Sequence, residues 1–151
     1  ELLLESKYMH DIYIEGGTKR QKDIADKVIS FCLKRLMPRA RSINVELTLR
    51  SMSDLGGCWL LDNHRSFGIE VNSESKTKEF IISLIHEMVH AKQYYTQELC
   101  EVLTMNNDGG MVSKTLWKGK DCTNLEYRDL PYELEAYHMQ DNLYEEYKKW
   151  A

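Results

Sequence analysis

The spacing of apolar and polar residues along the chain predicts a first helix over residues 18–36. Thr18 and Gln21 have the spacing of a capping box at the start of this segment. Pro38 follows the segment and cannot continue a helix, so the helix is expected to end just before it. Apolar side chains recur every four positions in between, as on one buried helix face: Ile24, Val28, Cys32 and Leu36.

Three short strands are predicted after this helix. In residues 42–50, "SINVELTLR", apolar and polar residues alternate, which is typical of a strand with one buried face. The segments "GCWLLD" (57–62) and "FGIEVN" (67–72) are joined by a polar turn and predict a hairpin. Three strands so close together in the sequence favour a small, mainly antiparallel sheet.

A second helix is predicted from about Thr77 to Tyr95. Its apolar residues fall on nearly every side, which indicates that this helix is central and covered all round. Ionisable residues at positions 86, 87 and 90 interrupt the pattern. Because buried ionisable groups are costly unless they are paired or bind a metal ion, these three residues require a specific partner.

The rest of the chain predicts a long loop and a last helix. Residues 104–128 show no periodicity, and they are expected to form a loop with room for a short strand around Trp117. The last helix begins at "LPYELEAY", where Pro131 occupies the favoured first turn. Together these elements predict one α+β domain over residues 1–151.

Composition and charge narrow the function classes. The chain has 42% hydrophobic and 29% charged residues, as soluble globular proteins do, and its net charge of −4 offers no general attraction for nucleic acid or an anionic membrane. No apolar stretch approaches the roughly 20 residues that span a bilayer, and the opening "ELLLESKYMH" lacks the features of a signal peptide. The four cysteines form no C-x-x-C pair and are expected to be reduced, in a cytoplasmic protein with no membrane partner.

The segment "HEMVH", residues 86–90, predicts a zinc site. Residues four apart lie on one face of a helix, so His86 and His90 can both bind one zinc ion, at about 2.0–2.1 Å. Glu87 lies one step round the helix, where its carboxylate can deprotonate a zinc-bound water. The alternative is a pair of ordinary core or surface histidines, but the position of the motif in the most apolar helix favours zinc.

A catalytic zinc ion needs a third protein ligand, and the last helix offers Glu133, Glu135 and His138. Glu133 is favoured because Ala136, three residues later, leaves a small side chain where a second helix can approach closely. His138 is the alternative ligand, and Glu135 is expected to orient another ligand. Peptide hydrolysis also needs a hydrogen-bond donor for the oxyanion, for which Tyr132, Tyr137 and His138 are candidates.

These motifs carry a family resemblance. "HEMVH" on a buried helix, preceded by three strands and followed by "PYELEAY", resembles the small zincin metallopeptidases of the gluzincin-like group, in particular SprT-like and ImmA/IrrE-like domains, many of them from phages or bacteria. The resemblance implies a zincin-like fold, bound Zn²⁺ and the E-x-x-A glutamate, here Glu133, as third ligand. SprT-like proteins often use a histidine instead, which keeps His138 open. The resemblance also implies that residues 67–72 form a sheet edge for an extended peptide.

The sequence therefore predicts a zinc-dependent metallopeptidase that acts on a protein or peptide. One alternative is a SprT-like protease acting on DNA-bound proteins, with DNA contacts from the basic residues Lys34, Arg35, Arg39 and Arg41. Another is a regulatory protease that cleaves one partner protein. A third is a binding module without turnover, in which zinc only stabilises the fold.

Overall fold

A computed structural model describes residues 9–151 of the chain. The expectation that the chain does not open with a signal peptide concerns mainly residues 1–8, which lie outside the described residues. The described part combines three α-helices with two β-sheets, as the α+β expectation requires. The elements follow in the order β1 (Asp11–Gly16), α1 (Lys19–Leu36), β2 (Asn44–Arg50), β3 (Gly56–Leu60), β4 (Ser66–Asn72), α2 (Thr77–Tyr95), β5 (Leu99–Met105), β6 (Met111–Trp117), β7 (Lys120–Asp121) and α3 (Pro131–Trp150).

The larger sheet has four strands in the order β1-β2-β4-β3, and the prediction of a mainly antiparallel three-stranded sheet is wrong. β2 pairs in parallel with both β1 and β4, and only β3 and β4 are antiparallel. β1 and β2 are parallel because α1 connects them and carries the chain back across the sheet before β2 begins. β1 itself was not predicted, although Ile12 and Ile14 alternate with polar residues in it.

The predicted hairpin is confirmed, but the predicted sheet edge is on the wrong strand. β4 lies between β2 and β3, and it is buried along most of its length, as an internal strand covered on both sides is. β3 takes the edge position instead. An extended peptide could therefore reach the sheet only along β3 at this end.

The segment predicted as a long loop is mostly a hairpin. β5 and β6 pair from Leu99↔Trp117 to Met105↔Met111, and β7 adds two residues, so the predicted short strand around Trp117 is the end of β6. The "NNDGG" segment closes the turn, where Asn106 accepts a hydrogen bond from the Gly110 amide and Gly109 has a positive φ. The periodicity was weak because apolar side chains occur on both faces of this ribbon.

The three predicted helices are confirmed. Thr18 and Gln21 form both hydrogen bonds of the capping box on α1, and Pro131 begins α3. Twelve of the 19 residues of α2 are buried, so this helix is central, and Ala136 of α3 is fully buried. Between residues 9 and 151, no helix has the length and apolar character needed to cross a membrane.

Candidate metal centre

The structure brings three of the predicted ligands to one point. Nε2 of His86 and Nε2 of His90 lie 3.2 Å apart, because the two residues are one turn apart on α2. Oε1 of Glu133, from the first turn of α3, lies 2.9 Å from the His86 nitrogen and 3.0 Å from that of His90. These three residues form a cluster that could hold a metal ion.

Gln93 fixes the orientation of the His90 ring. The Gln93 amide nitrogen donates to the backbone oxygen of Tyr132, at 3.0 Å, and to the carboxylate of Glu135, at 3.1 Å. Its amide oxygen therefore faces His90 and accepts from Nδ1 at 2.8 Å. Because Nδ1 carries the proton, Nε2 is left free to donate a lone pair to a metal ion.

Gln140 of α3 has the same relation to His86, since its side-chain oxygen accepts from Nδ1 at 2.9 Å. Two imidazole nitrogens and one carboxylate oxygen thus converge, a donor set found in catalytic zinc sites and in non-haem iron sites. Ligands at about 2.0–2.1 Å from a tetrahedral zinc ion are about 3.3 Å apart. The observed separations of 2.9–3.2 Å need only a small outward shift to meet that geometry.

The cluster is also electrostatically complementary. Burial by itself would raise the pKa of the Glu133 carboxyl, but the hydrogen bonds and charges of His86 and His90 lower it to about 2. Burial by itself would lower the pKa of His90, but its hydrogen bond to Glu133 and the Glu133 charge raise it. A proton and a metal ion therefore compete for the same nitrogen, and acid disfavours metal binding.

Glu87 lies beside this cluster and lines the same cavity. Burial raises the pKa of its carboxyl, while the charges of His90 and His86 act in the opposite direction. The start of β3 packs directly against it: a Cβ on Gly56 would lie 3.3 Å from Oε2 of Glu87 and 2.7 Å from the backbone oxygen of Glu70. Glycine at position 56 thus lets the edge strand approach the carboxylate closely.

The cavity has a volume of about 700 Å³ and opens between β3, α2, the start of β5 and α3. Four tyrosines contribute to its wall, namely Tyr94, Tyr127, Tyr132 and Tyr137. The hydroxyls of Tyr127 and Tyr137 are 3.1 Å apart. Burial, the hydrogen bond with Tyr137 and the charge of Glu133 raise the pKa of Tyr127, so its hydroxyl keeps its proton near neutral pH.

The other predicted site residues occupy different positions. Tyr132 and Tyr137 line the cavity, and Glu135 binds Gln93 rather than the metal cluster, in line with its predicted orienting role. His138 is exposed and lies beside Arg35 and Glu146 in a separate small pocket, away from the three clustered ligands. The structure therefore does not bring His138 to the site, either as a ligand or as an oxyanion donor.

Several residues of the site carried little or no signal in the sequence. Gln93 is three residues after His90 on the same helix face, and Gln140 is seven after Glu133, so helical spacing could have indicated both. Tyr127 precedes α3 in a short 3₁₀-helix and had no spacing signal. Cys58 also lines the cavity, where burial and the charge of Glu87 raise its pKa.

No family model matches the chain, and neither the curated proteins nor the solved structures include a match. The resemblance to zincin metallopeptidases therefore stays a prediction from the HExxH and E-x-x-A motifs.

We expect Gln93→Met to weaken metal binding. The substitution keeps the length of the side chain but removes the acceptor that holds Nδ1 of His90, and loss of such a partner typically costs about 10–100-fold in metal affinity. Competition with a chelator of known zinc affinity measures the effect. Unchanged affinity would show that the His90 ring is held without Gln93.

Gly56→Ala should destabilise the fold by about 1–3 kcal/mol, as overpacking of a tight contact does. Gly57→Ala is the matched control, because a Cβ there would meet its nearest atoms only at 4.0 Å. Urea unfolding of the two variants measures the difference. Equal stability of both would contradict the close approach of β3 to β4 and Glu87.

Proposed function

We propose that the chain is a zinc-dependent peptidase. The observation that carries the proposal is the position of a buried carboxylate, Glu87, next to a two-histidine, one-glutamate cluster in an open cavity. A cluster with a purely structural metal ion would not need such a neighbour or such access.

His86, His90 and Glu133 would hold the zinc ion. Three protein ligands leave one position of a tetrahedral site open, as catalytic zinc sites do. When bound, zinc acts as a Lewis acid and lowers the pKa of a bound water to about 7. The adjacent Glu87 favours zinc hydrolysis over the iron chemistry that the same donor set also serves.

Glu87 is the proposed general base and acid. Its carboxylate takes a proton from the attacking water and later delivers it to the leaving amine. Burial raises the pKa of the Glu87 carboxyl, while the charges of His90 and His86 act in the opposite direction, so burial favours the protonated form that delivers the proton.

The substrate backbone is proposed to lie along β3. This strand is at one edge of the four-stranded sheet, and residues 53–58 form one wall of the cavity. Edge-strand amides and carbonyls can pair with an extended peptide, as in other cases of strand addition. The proposal moves the peptide-binding edge from residues 67–72, where the sequence predicted it, to β3.

Tyr127 and Tyr137 are the proposed donors to the oxyanion that forms at the scissile carbonyl. Their hydroxyls are hydrogen-bonded to each other, and both residues line the cavity that contains Glu133. The raised pKa of Tyr127 keeps a proton available for donation. Tyr127 replaces His138 among the predicted candidates, because His138 lies outside the cavity.

The alternatives from the sequence have less support. Of the basic residues proposed to contact DNA, all four are exposed, but Arg35 is engaged in an ion pair with Glu146 at 2.9 Å and Lys34 lies over the ring of Trp150. A binding module without turnover uses the same cluster, and the Glu87 experiment below separates it from a peptidase.

Metal analysis should find about one zinc per chain after purification without added chelator. Zinc should be lost in His86→Ala with His90→Ala and weakened in Glu133→Ala, since each variant removes ligand atoms from the cluster. His138→Ala is the matched control on α3 and should keep its zinc. Iron as the main metal, or zinc loss in the His138 variant, would contradict the assignment.

Glu87→Gln should retain zinc and lose about 10²–10⁴-fold in the rate of peptide hydrolysis, the usual contribution of a general base. Labelled casein and a library of short quenched-fluorescence peptides are suitable substrates. Glu79→Gln, an exposed carboxylate in the first turn of the same helix, is the control and should cleave normally. Full activity of the Glu87 variant would rule out the proposed base.

A further inference from the structure

The β5–β6 hairpin carries an exposed apolar face beyond the cavity. Leu103, Met105 and Met111 are 70%, 71% and 61% exposed, and Met105 and Met111 are cross-strand partners. Single exposed apolar residues are common, but several on one face of a protruding ribbon mark an interaction site. Methionine side chains also adapt to partners of different shape.

This face is continuous with the wall of the cavity. Side chains two apart in a strand point to the same side, so Leu99, Glu101, Leu103 and Met105 share one face of β5. Leu99 is buried, lines the cavity and packs with its partner Trp117 near Tyr132. The face therefore begins inside the site and ends at the exposed tip of the hairpin.

Glu101 stands between the cavity and the exposed apolar residues. It is two residues from Leu99 on the same face of β5, and Leu99 lines the cavity, so the Glu101 side chain lies on the cavity side of the hairpin. The same face of β6 presents Met111, Ser113 and Thr115, none of them charged. Glu101 is thus the sole charge on this face of the two strands.

We propose that this face, comprising Glu101, Leu103, Met105 and Met111, binds an apolar segment of the polypeptide substrate where it leaves the cavity. A basic side chain of the substrate faces Glu101, and the apolar residues beyond it lie on the hairpin. The inference rests on the proposed function and specifies its substrate class: a polypeptide with a basic residue followed by an apolar run on one side of the scissile bond.

Charge and position favour a substrate over a second copy of the chain. β5 and β6 present no basic residue on this side, since Lys114 lies on the other side as the partner of Val102, so two copies in contact through these strands leave Glu101 without a counter-charge. A substrate segment in the cavity, by contrast, already lies beside Leu99. Its next residues can contact the exposed face if the segment extends along β5. The hairpin then adds affinity for long substrates that a short peptide confined to the cavity does not gain.

The test measures binding of fluorescein-labelled peptides to the zinc-loaded full chain with Glu87→Gln, so no turnover is required. One peptide carries a lysine followed by a run of leucines, a second has serines in place of the leucines, and a third has glutamate in place of the lysine. Fluorescence anisotropy should show the first binding at least about tenfold more tightly than either of the others.

Two variants in the same background locate the effect. Leu103→Ser with Met105→Ser and Met111→Ser should reduce binding of the leucine peptide to the level of the serine peptide. Val102→Ser with Val112→Ser, on the opposite face of the same hairpin, should leave it within about twofold. Zinc content and circular dichroism confirm that both variants are folded.

Each result distinguishes the inference from the proposed function. Unchanged binding in the triple variant, or equal loss in the control, overturns the apolar face, whether or not the wild-type chain cleaves short peptides. A wild-type dimer that the triple variant converts to a monomer also overturns it, because a second copy then covers the face. Expected binding without any cleavage by the wild-type chain supports the face and overturns the peptidase.

Discussion

The contact between Glu133 and the two histidines of α2 is the constraint on which the site depends. It joins a glutamate at the start of α3 to the middle of the most buried helix, and it places acceptor groups of three residues within 3.2 Å of one another. Such an arrangement is costly unless a proton or a metal ion lies among them. Ala136, fully buried on α3, lets the two helices come close enough for this contact.

The surroundings of the cluster maintain that arrangement. Gln93 spans from His90 to Glu135 and the backbone of Tyr132, so one buried amide ties the ring orientation to the first turn of α3. Gln140 does the same for His86 from one turn after Tyr137. Both partners are neutral, so they orient the imidazoles without adding negative charge. The negative charge at the cluster therefore comes from the carboxylates of Glu133 and Glu87.

The two sheets give the cavity two unlike walls. β3 brings backbone groups at a free strand edge, and it approaches Glu87 closely because position 56 has no side chain. The hairpin of β5 and β6 brings side chains: Leu99 at the cavity, Glu101 beyond it and exposed aliphatic residues at the tip. In the proposed peptidase, the first wall would pair with any extended backbone, whereas the second would distinguish one substrate sequence from another. On this basis, affinity and specificity would reside in different elements.

The local sequence was sufficient for the three helices, the capping box at Thr18, the β3–β4 hairpin and the pairing of His86 with His90, because each depends on residues a few positions apart. The spacing of Glu133 from Ala136 also favoured Glu133 as the third ligand.

The order of the strands in the sheet could not be predicted from such local patterns. Whether β4 lies inside the sheet or at its edge depends on where α1 returns the chain and on which strand β2 pairs with, and no short-range pattern contains that information. Tertiary packing likewise decided that His138 lies outside the cavity while Tyr127 and Cys58 line it. The rotation of α3 against α2, and the path of the segment before α3, determine which side chains meet there.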